Sequence, residues 1–254
     1  ENGFFFEYTG KEGETSKPNS NDIIHFKGDG DFRSQESIEL LKQSDIVVTN
    51  PPFSLFREYV AQLVKYDKKF LIIGNINAIT YKEIFALLKA DKMWLGNGFK
   101  AGNAYFASPL LKDYADGVYD KETGLVKFRN CCWYTNLDHG KRHQPLALMT
   151  MKDNLKFSKH KDIKENGYQN YDNYSAIEVS YTDAIPSDYD GVMGVPISFL
   201  DKYSPEQFEI VGSDYEVKEG KLPEIVNPNW QGKLDRGYIN GNRIYSRILI
   251  RRKK

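Results

Sequence analysis

Cysteine is nearly absent from this chain: of 254 residues only Cys131 and Cys132 carry a thiol, and they are adjacent. Vicinal cysteines rarely bridge each other, and two cannot complete a zinc site, so neither a disulfide framework nor a cysteine-held metal is expected. A reducing interior compartment suits that usage. A charge excess is missing too. Lys+Arg 35 against Asp+Glu 35 sums to +0, so no bulk basic signature marks a nucleic-acid partner, and any attraction to phosphate has to be arranged locally. No apolar run approaches a membrane span, and no signal peptide, internal repeat or low-complexity tract is visible. The chain opens on Glu1 rather than Met, as a processed or truncated piece would. Its length allows a sizeable core, in one large domain or two modest ones.

What the chain does have is aromatics, 14% with 17 Tyr, and one stretch that organises the rest: Asp45-Ile46-Val47-Val48-Thr49-Asn50-Pro51-Pro52-Phe53. The apolar and β-branched run after Asp45 reads as a short buried strand of a parallel sheet. Two prolines then stop it, because neither can donate to a ladder and both fix φ near −65°. At the break stand an amide side chain, rigid carbonyls and an aromatic ring, where ligands of open α/β sheets bind. That set suits methylation of a nucleobase amine, whose lone pair is conjugated into the ring and poorly nucleophilic. The Asn50 side-chain oxygen and the Pro51 carbonyl would hold its two hydrogens and tilt the nitrogen toward tetrahedral, while Phe53 stacks on a flipped base. A turn that merely ends a strand, with Phe53 filling core, is the plainer alternative.

Around this stretch the elements alternate. Phe4-Phe5-Phe6 and Ile23-Ile24-His25-Phe26 read as short strands, separated by a polar loop from Gly10 to Asn21; His25 has no second metal-type residue at sensible spacing. Ser34 is placed to cap a helix through Ile38, Leu40 and Leu41, and Ser54 another from Leu55 to about Lys65, with Phe56, Tyr59, Val60 and Leu63 on one face. Lys69 to Asn75 is a further buried strand, followed by a helix opened by Thr80 and ended near Asp91. Strand, helix, strand, helix is the rhythm of a doubly wound parallel sheet. Asn75 and Asn77 lie at that strand's carboxyl end, where either could touch substrate, though such asparagines more often cap the turn that follows. From Met93 the rhythm changes. Met93–Leu95, Asn103–Phe106 and Val126 through Tyr134 read as strands completing the sheet, the later ones as an antiparallel hairpin at its edge. Gly96, Gly98 and Gly102 fit no phosphate loop and read as turn glycines.

A boundary is expected near Asp138, dividing a catalytic domain (1–138) from a second region (139–254). Lys152 to Lys164 carries five lysines against two aspartates, a basic face either solvated or laid along phosphates. Asp190-Gly191 through Pro196 reads as loop, and Arg236 to Lys254 as a hairpin turned at Asn240-Gly241. Arg243, Arg247, Arg251 and Arg252, with no acidic residue among them, are the electrostatic candidates for contact with a phosphate backbone, joined by Lys141 and Arg142.

Asn50-Pro51-Pro52-Phe53 resembles the catalytic motif of amino-methyltransferases acting on adenine or cytosine in DNA. The run TNPPFSLFREYV, with GDGDFRS before it, RNCCWYTNL after it, VPISFLDKYSPEQFEIVG further on and the last basic strand, is similar to the EcoRI-type adenine-specific DNA methyltransferase family over nearly the whole chain. The resemblance implies a partial Rossmann-like methyltransferase sheet with a C-terminal mixed α+β target-recognition region. It implies S-adenosylmethionine as cofactor, with Asp31 accepting from its adenine amine and Phe32 covering its ring. It implies duplex DNA as partner, no metal and no membrane, a monomer, and a location in the bacterial cytoplasm with the nucleoid. The family's earlier cofactor-binding turn has no counterpart before Asp29, so the isolated chain is expected to show only part of the cofactor site. Transfer to RNA or to a protein glutamine, and a catalytically silent DNA-binding fragment, are the competing readings.

Overall fold

A computed structural model describes residues 3–10, 22–98, 103–108 and 114–253. They fall into two compact units, 1–70 and 71–254; the expected boundary near 138 lies inside the second. The expected loop beyond Gly10, Gly102 and Lys254 lie outside the described residues.

In the first unit β1 (Phe4–Phe5) pairs antiparallel with β2 (Ile24–His25), and His25 is exposed, meeting Phe4 edge-on at 6.3 Å. Helix α1 (Gln35–Gln43) starts where Ser34 accepts from the Ser37 N–H at 3.2 Å, the cap expected of it. Strand β3 (Ile46–Thr49) follows, but it is not buried on both faces: Ile46 is 50% and Val48 65% exposed. Successive strand residues face opposite sides, and only the Val47–Thr49 side is half covered by the described residues. Helix α2 (Phe56–Lys65) buries Phe56, Val60 and Leu63, a stripe at helical spacing. Ser54 does not cap it. Pro52 offers its carbonyl to the Leu55 N–H at 3.0 Å, so Phe53–Leu55 winds as a tight 3-10 turn before the α-helix begins.

Strand β4 (Lys69–Asn75) leads into the second unit. Its end is capped as expected, with the Asn75 side chain accepting from the Asn77 N–H at 2.8 Å. Thr80 closes this turn by donating to the Asn77 carbonyl instead of opening a helix, and α3 (Lys82–Lys89) starts two residues later, burying Ile84, Phe85 and Leu88. Strands β5 (Trp94–Leu95) and β8 (Cys131–Thr135) build on β4 in the order β4-β8-β5, all neighbours antiparallel. The expected edge hairpin is thus corrected. Both faces of β8 are apolar or buried (Cys131, Cys132, Tyr134, Thr135), which suits a central strand, while β6 (Ala104–Ala107) and β7 (Leu125–Phe128) form a separate ribbon. Both thiols are free and buried, and burial pushes Cys132 up to about 12.

The lysine-rich stretch winds into α4 (Met151–Phe157) and α5 (Lys161–Asn166). Beyond it a four-stranded sheet runs in the order β11 (Phe208–Ser213), β14 (Arg247–Arg252), β10 (Val192–Pro196), β9 (Ala176–Glu178). Only β9–β10 is parallel. The expected loop at 190–196 is therefore wrong from Val192 on: the run is a buried strand ended by Pro196. Gly194 is required there because a Cβ would overlap the Tyr171 hydroxyl. The C-terminal hairpin is shorter than expected, β12 (Tyr238–Ile239) against β13 (Asn242–Arg243). Asn240 and Gly241 turn it with φ of 50° and 75°, the type I′ signature. The next strand leaves it because Ile248, Leu249 and Ile250 are all buried, three consecutive apolar residues that suit a sheet centre covered on both faces. The chain is thus a mixed α/β protein. Among the described residues no helix is long and apolar enough to cross a membrane, and no group of three or more His, Cys, Asp or Glu is placed to hold a metal.

Candidate active site

Asn50 stands directly beyond the end of β3, exposed, and its side chain has no hydrogen-bond partner among the described residues. Pro51 is buried and Pro52 exposed, the latter at φ −56°, ψ 123°. The ring of Phe53 is 39% exposed, whereas Phe56, three residues on, is 2% exposed. Phe56 is the core residue here. Phe53 presents its ring outward, against the plainer reading in which it fills core. The first turn of the chain after the prolines therefore displays an amide and an aromatic ring on a backbone that two pyrrolidine rings and a 3-10 turn hold rigid.

Asp31 and Phe32 are tied to the helix that grows out of that corner. Asp31 Oδ1 accepts from the Arg33 N–H at 2.8 Å and from Arg33 Nε at 2.9 Å, and Oδ2 from Arg33 Nη2 at 2.8 Å. These bonds from Arg33 hold the carboxyl ionised, lowered to about 2. A carboxylate offers about four lone-pair sites, so three donors leave one open, on Oδ2. Arg33 Nη1 reaches Glu58 at 3.1 Å, the Phe32 ring meets Tyr59 edge-on at 5.0 Å, and Gln62 Nε2 donates to the Phe32 carbonyl at 2.8 Å. Three residues of α2 thus clamp the Asp31–Arg33 turn. Phe32 also lines a cleft of 390 Å³ with Leu40, Leu41, Val48 and Tyr59. Asn50, Phe53 and Asp31 are outside its lining, so the structure joins Phe32 to the side of β3 rather than to the motif itself.

Each of the six basic residues expected to meet DNA has a partner within the chain. Lys141 Nζ is 2.9 Å from Asp201, Arg243 Nη2 2.6 Å from Asp235, and Arg251 Nη1 3.6 Å from Glu209. Arg252 donates to the Ser187 carbonyl. Arg142 is buried, pairs with Asp91 and lies over the Trp94 ring at 3.8 Å. Arg247 pairs with Glu178, the two side chains 11% and 8% exposed. The tertiary fold supplies carboxylates that the basic run lacks in sequence. Sequence reasoning passed over Arg236, which has no carboxylate within ion-pair distance among the described residues, and Tyr245, 86% exposed; no local pattern announces either.

The Asn-Pro-Pro-Phe corner stands at a strand end of a mixed α/β chain, and the relatives of the chain place it among adenine-specific DNA methyltransferases. The chain belongs to the family described as adenine-specific methyltransferase EcoRI, which matches residues 2–253. It is 46% identical over 256 residues to the type II methyltransferase M.EcoRI of Escherichia coli, covering 100% of this chain and 71% of that protein. To M.MgeORF184P of Mycoplasma genitalium it is 37% identical over 243 residues (90% and 71% covered), and to M.MpnI of Mycoplasma pneumoniae 35% over 234 (89% and 70%). No solved structure matches the chain.

Proposed function

We propose that the chain methylates the exocyclic amine of an adenine flipped out of duplex DNA, as the modification enzyme of a restriction–modification system acting as a monomer. The observation that carries the reading is the corner at Asn50–Phe53, with an unpartnered amide and an outward ring at the end of β3. The Asn50 side-chain oxygen and the Pro51 carbonyl accept the two amine hydrogens and draw the nitrogen out of conjugation. Phe53 stacks on the base, replacing the neighbours lost on flipping. The prolines fix both acceptors before substrate arrives, so little reorganisation is left for the reaction itself.

S-adenosylmethionine, when bound, supplies an electrophilic methyl for in-line attack without a covalent enzyme intermediate. The residues present fit its adenosine end. Asp31 keeps one open acceptor site and stays ionised, and Phe32 lines a cleft of 390 Å³, within the range of ligand pockets, roughly 300–1,000 Å³. A Rossmann-like sheet would carry both halves, and residues 139–254 would recognise the target. There Lys141, Arg243, Arg251 and Arg252, none of them fully buried, can exchange their present partners for phosphates. Arg142 and Arg247 are too enclosed to do so. Family membership argues against RNA or protein glutamine as substrate.

The test is Asn50→Ala in the full-length polypeptide. Methyl transfer to duplex DNA should fall at least about 100-fold, the effect of losing one preorganised polar contact, with DNA affinity retained. Unchanged turnover refutes the role given to Asn50.

A further inference from the structure

A second cavity, in the unit 71–254, measures 140 Å³. That is below the roughly 300 Å³ at which small-molecule pockets begin, too small for a nucleoside and suited to one compact polar group. Its polar wall is Thr80, Ser213, Tyr215, Arg236, Ser246 and Arg247, and no carboxylate lines it. The two guanidiniums differ. Arg247 gives Nε and Nη2 to Glu178. Arg236 gives only Nη1, to the Asp235 carbonyl at 2.6 Å; its Nε and Nη2 have no partner among the described residues. The same holds for the hydroxyls of Ser213, Tyr215 and Ser246. Arg236 thus keeps unspent donors, and it lines one small cavity together with three residues whose hydroxyls are also unspent. The adjoining Asp214 is 1% exposed, its oxygens accept from the Arg247 N–H at 2.7 Å and the Tyr174 hydroxyl at 3.3 Å, and it attracts Arg236 only from beyond ion-pair distance. Glu216 is paired with Lys89.

We propose that this cavity seats one phosphate of the DNA backbone, with Arg236 as its charged contact and the Ser213, Tyr215 and Ser246 hydroxyls as further donors. The proposal rests on the DNA-methyltransferase reading. Phosphate contacts supply half to two-thirds of the hydrogen bonds in protein–DNA complexes and set register without reading sequence, which is what a cavity lacking any base-sized space can do.

The experiment titrates the full-length polypeptide with duplex DNA of unrelated sequence and with its methylated target, across a range of salt. Arg236→Ala should weaken both duplexes equally, roughly tenfold, and flatten the dependence of log K on log salt by about one ion. Arg236→Lys should restore the slope while recovering affinity only in part. Ser246→Asp, which places a like charge in the cavity, should weaken DNA binding at unchanged melting temperature. Wild-type slope and affinity in both Arg236→Ala and Ser246→Asp overturn the proposal. So does an Arg236→Ala chain that loses thermal stabilisation by inorganic phosphate yet binds DNA normally, since the ligand is then a free anion. Methylation by the wild type is followed alongside. If the wild type binds and methylates DNA while the variants bind equally well, only the cavity assignment fails; if the wild type does neither, the functional reading fails and the proposal with it.

Discussion

The buried pair Arg247–Glu178 offers a decisive measurement, because the residue was expected to meet DNA and the fold gives it other work. Arg247 Nε lies 2.9 and 3.0 Å from the two Glu178 oxygens and Nη2 2.6 Å from Oε1. The Tyr171 hydroxyl and Ser180 Oγ, the latter at 2.8 Å, also donate to this carboxylate. Glu178→Leu strips all of them of their acceptor and leaves a guanidinium 11% exposed without its ion-pair partner. Removing one partner of a buried pair costs about 3–5 kcal/mol. At 2–4 °C per kcal/mol for a chain of this size, the melting temperature should fall by roughly 6–20 °C. Adding Arg247→Met should recover most of the loss, leaving about 1–3 kcal/mol for the orphaned hydroxyls. Thermal melts of the two single variants and the double, followed by circular dichroism, close the cycle. The reasoning is refuted by a Glu178→Leu chain within about 1 kcal/mol of wild type. It is refuted equally if Arg247→Met spares stability and flattens the salt dependence of DNA binding by about one ion, since Arg247 would then be spending its charge on phosphate.

Two further outcomes follow from burial. Asp214 is pushed up by burial from 3.8 to about 6, so between those values the folded chain holds more protons than the unfolded one. Its contribution to stability is full below about pH 4 and is lost as the pH rises through 6, a loss of about 3 kcal/mol. Denaturant unfolding of wild type and Asp214→Asn from pH 4 to 7 should therefore diverge by about that amount in the variant's favour; a pH-independent difference would contradict it. Gly194→Ala drives a Cβ onto the Tyr171 hydroxyl and to 2.8 Å from its Cζ. Tyr171 is 4% exposed and bonded to Glu178, so the ring cannot yield cheaply and the loss should be about 1–3 kcal/mol. An unchanged denaturation midpoint would show that it yields.

Elements were legible where their signal was local. The helix after Ser34 needs only its cap and three apolar positions, and β4 needs only seven residues between a turn and an asparagine cap; both stand where the residues put them. Strand β10 was hidden because Asp190-Gly191 and Pro196 punctuate it from both sides and Gly194 interrupts it. What makes it a strand is its pairing with β9 and β14, and the Tyr171 hydroxyl over that glycine explains why a glycine stands there, contacts no window on the sequence contains. The partners of β14 were hidden likewise. An apolar run shows that a strand is covered on both faces, but the hairpin turn beside it names the wrong neighbour.

The same division separates the chemistry from the electrostatics. The backbone corner at Asn50 to Phe53 could be read because its geometry is intrinsic: four consecutive residues, two of them prolines, fix their own backbone. The availability of a cation has no such local basis, since it depends on which carboxylate the fold delivers. The run Arg243–Arg252 is free of acidic residues in sequence and is nonetheless met by Asp235, Glu178 and Glu209. Arg236 shows the reverse. Its sequence neighbour Asp235 looks like a ready partner, yet that carboxylate is taken by Arg243 at 2.6 Å, and only the Asp235 carbonyl is left for Arg236. A hairpin of two-residue strands makes the exchange, because it brings Arg243 back over Asp235. Charge density along the chain marks where cations are plentiful, and the turn at Asn240-Gly241 decides which of them keeps unspent donors.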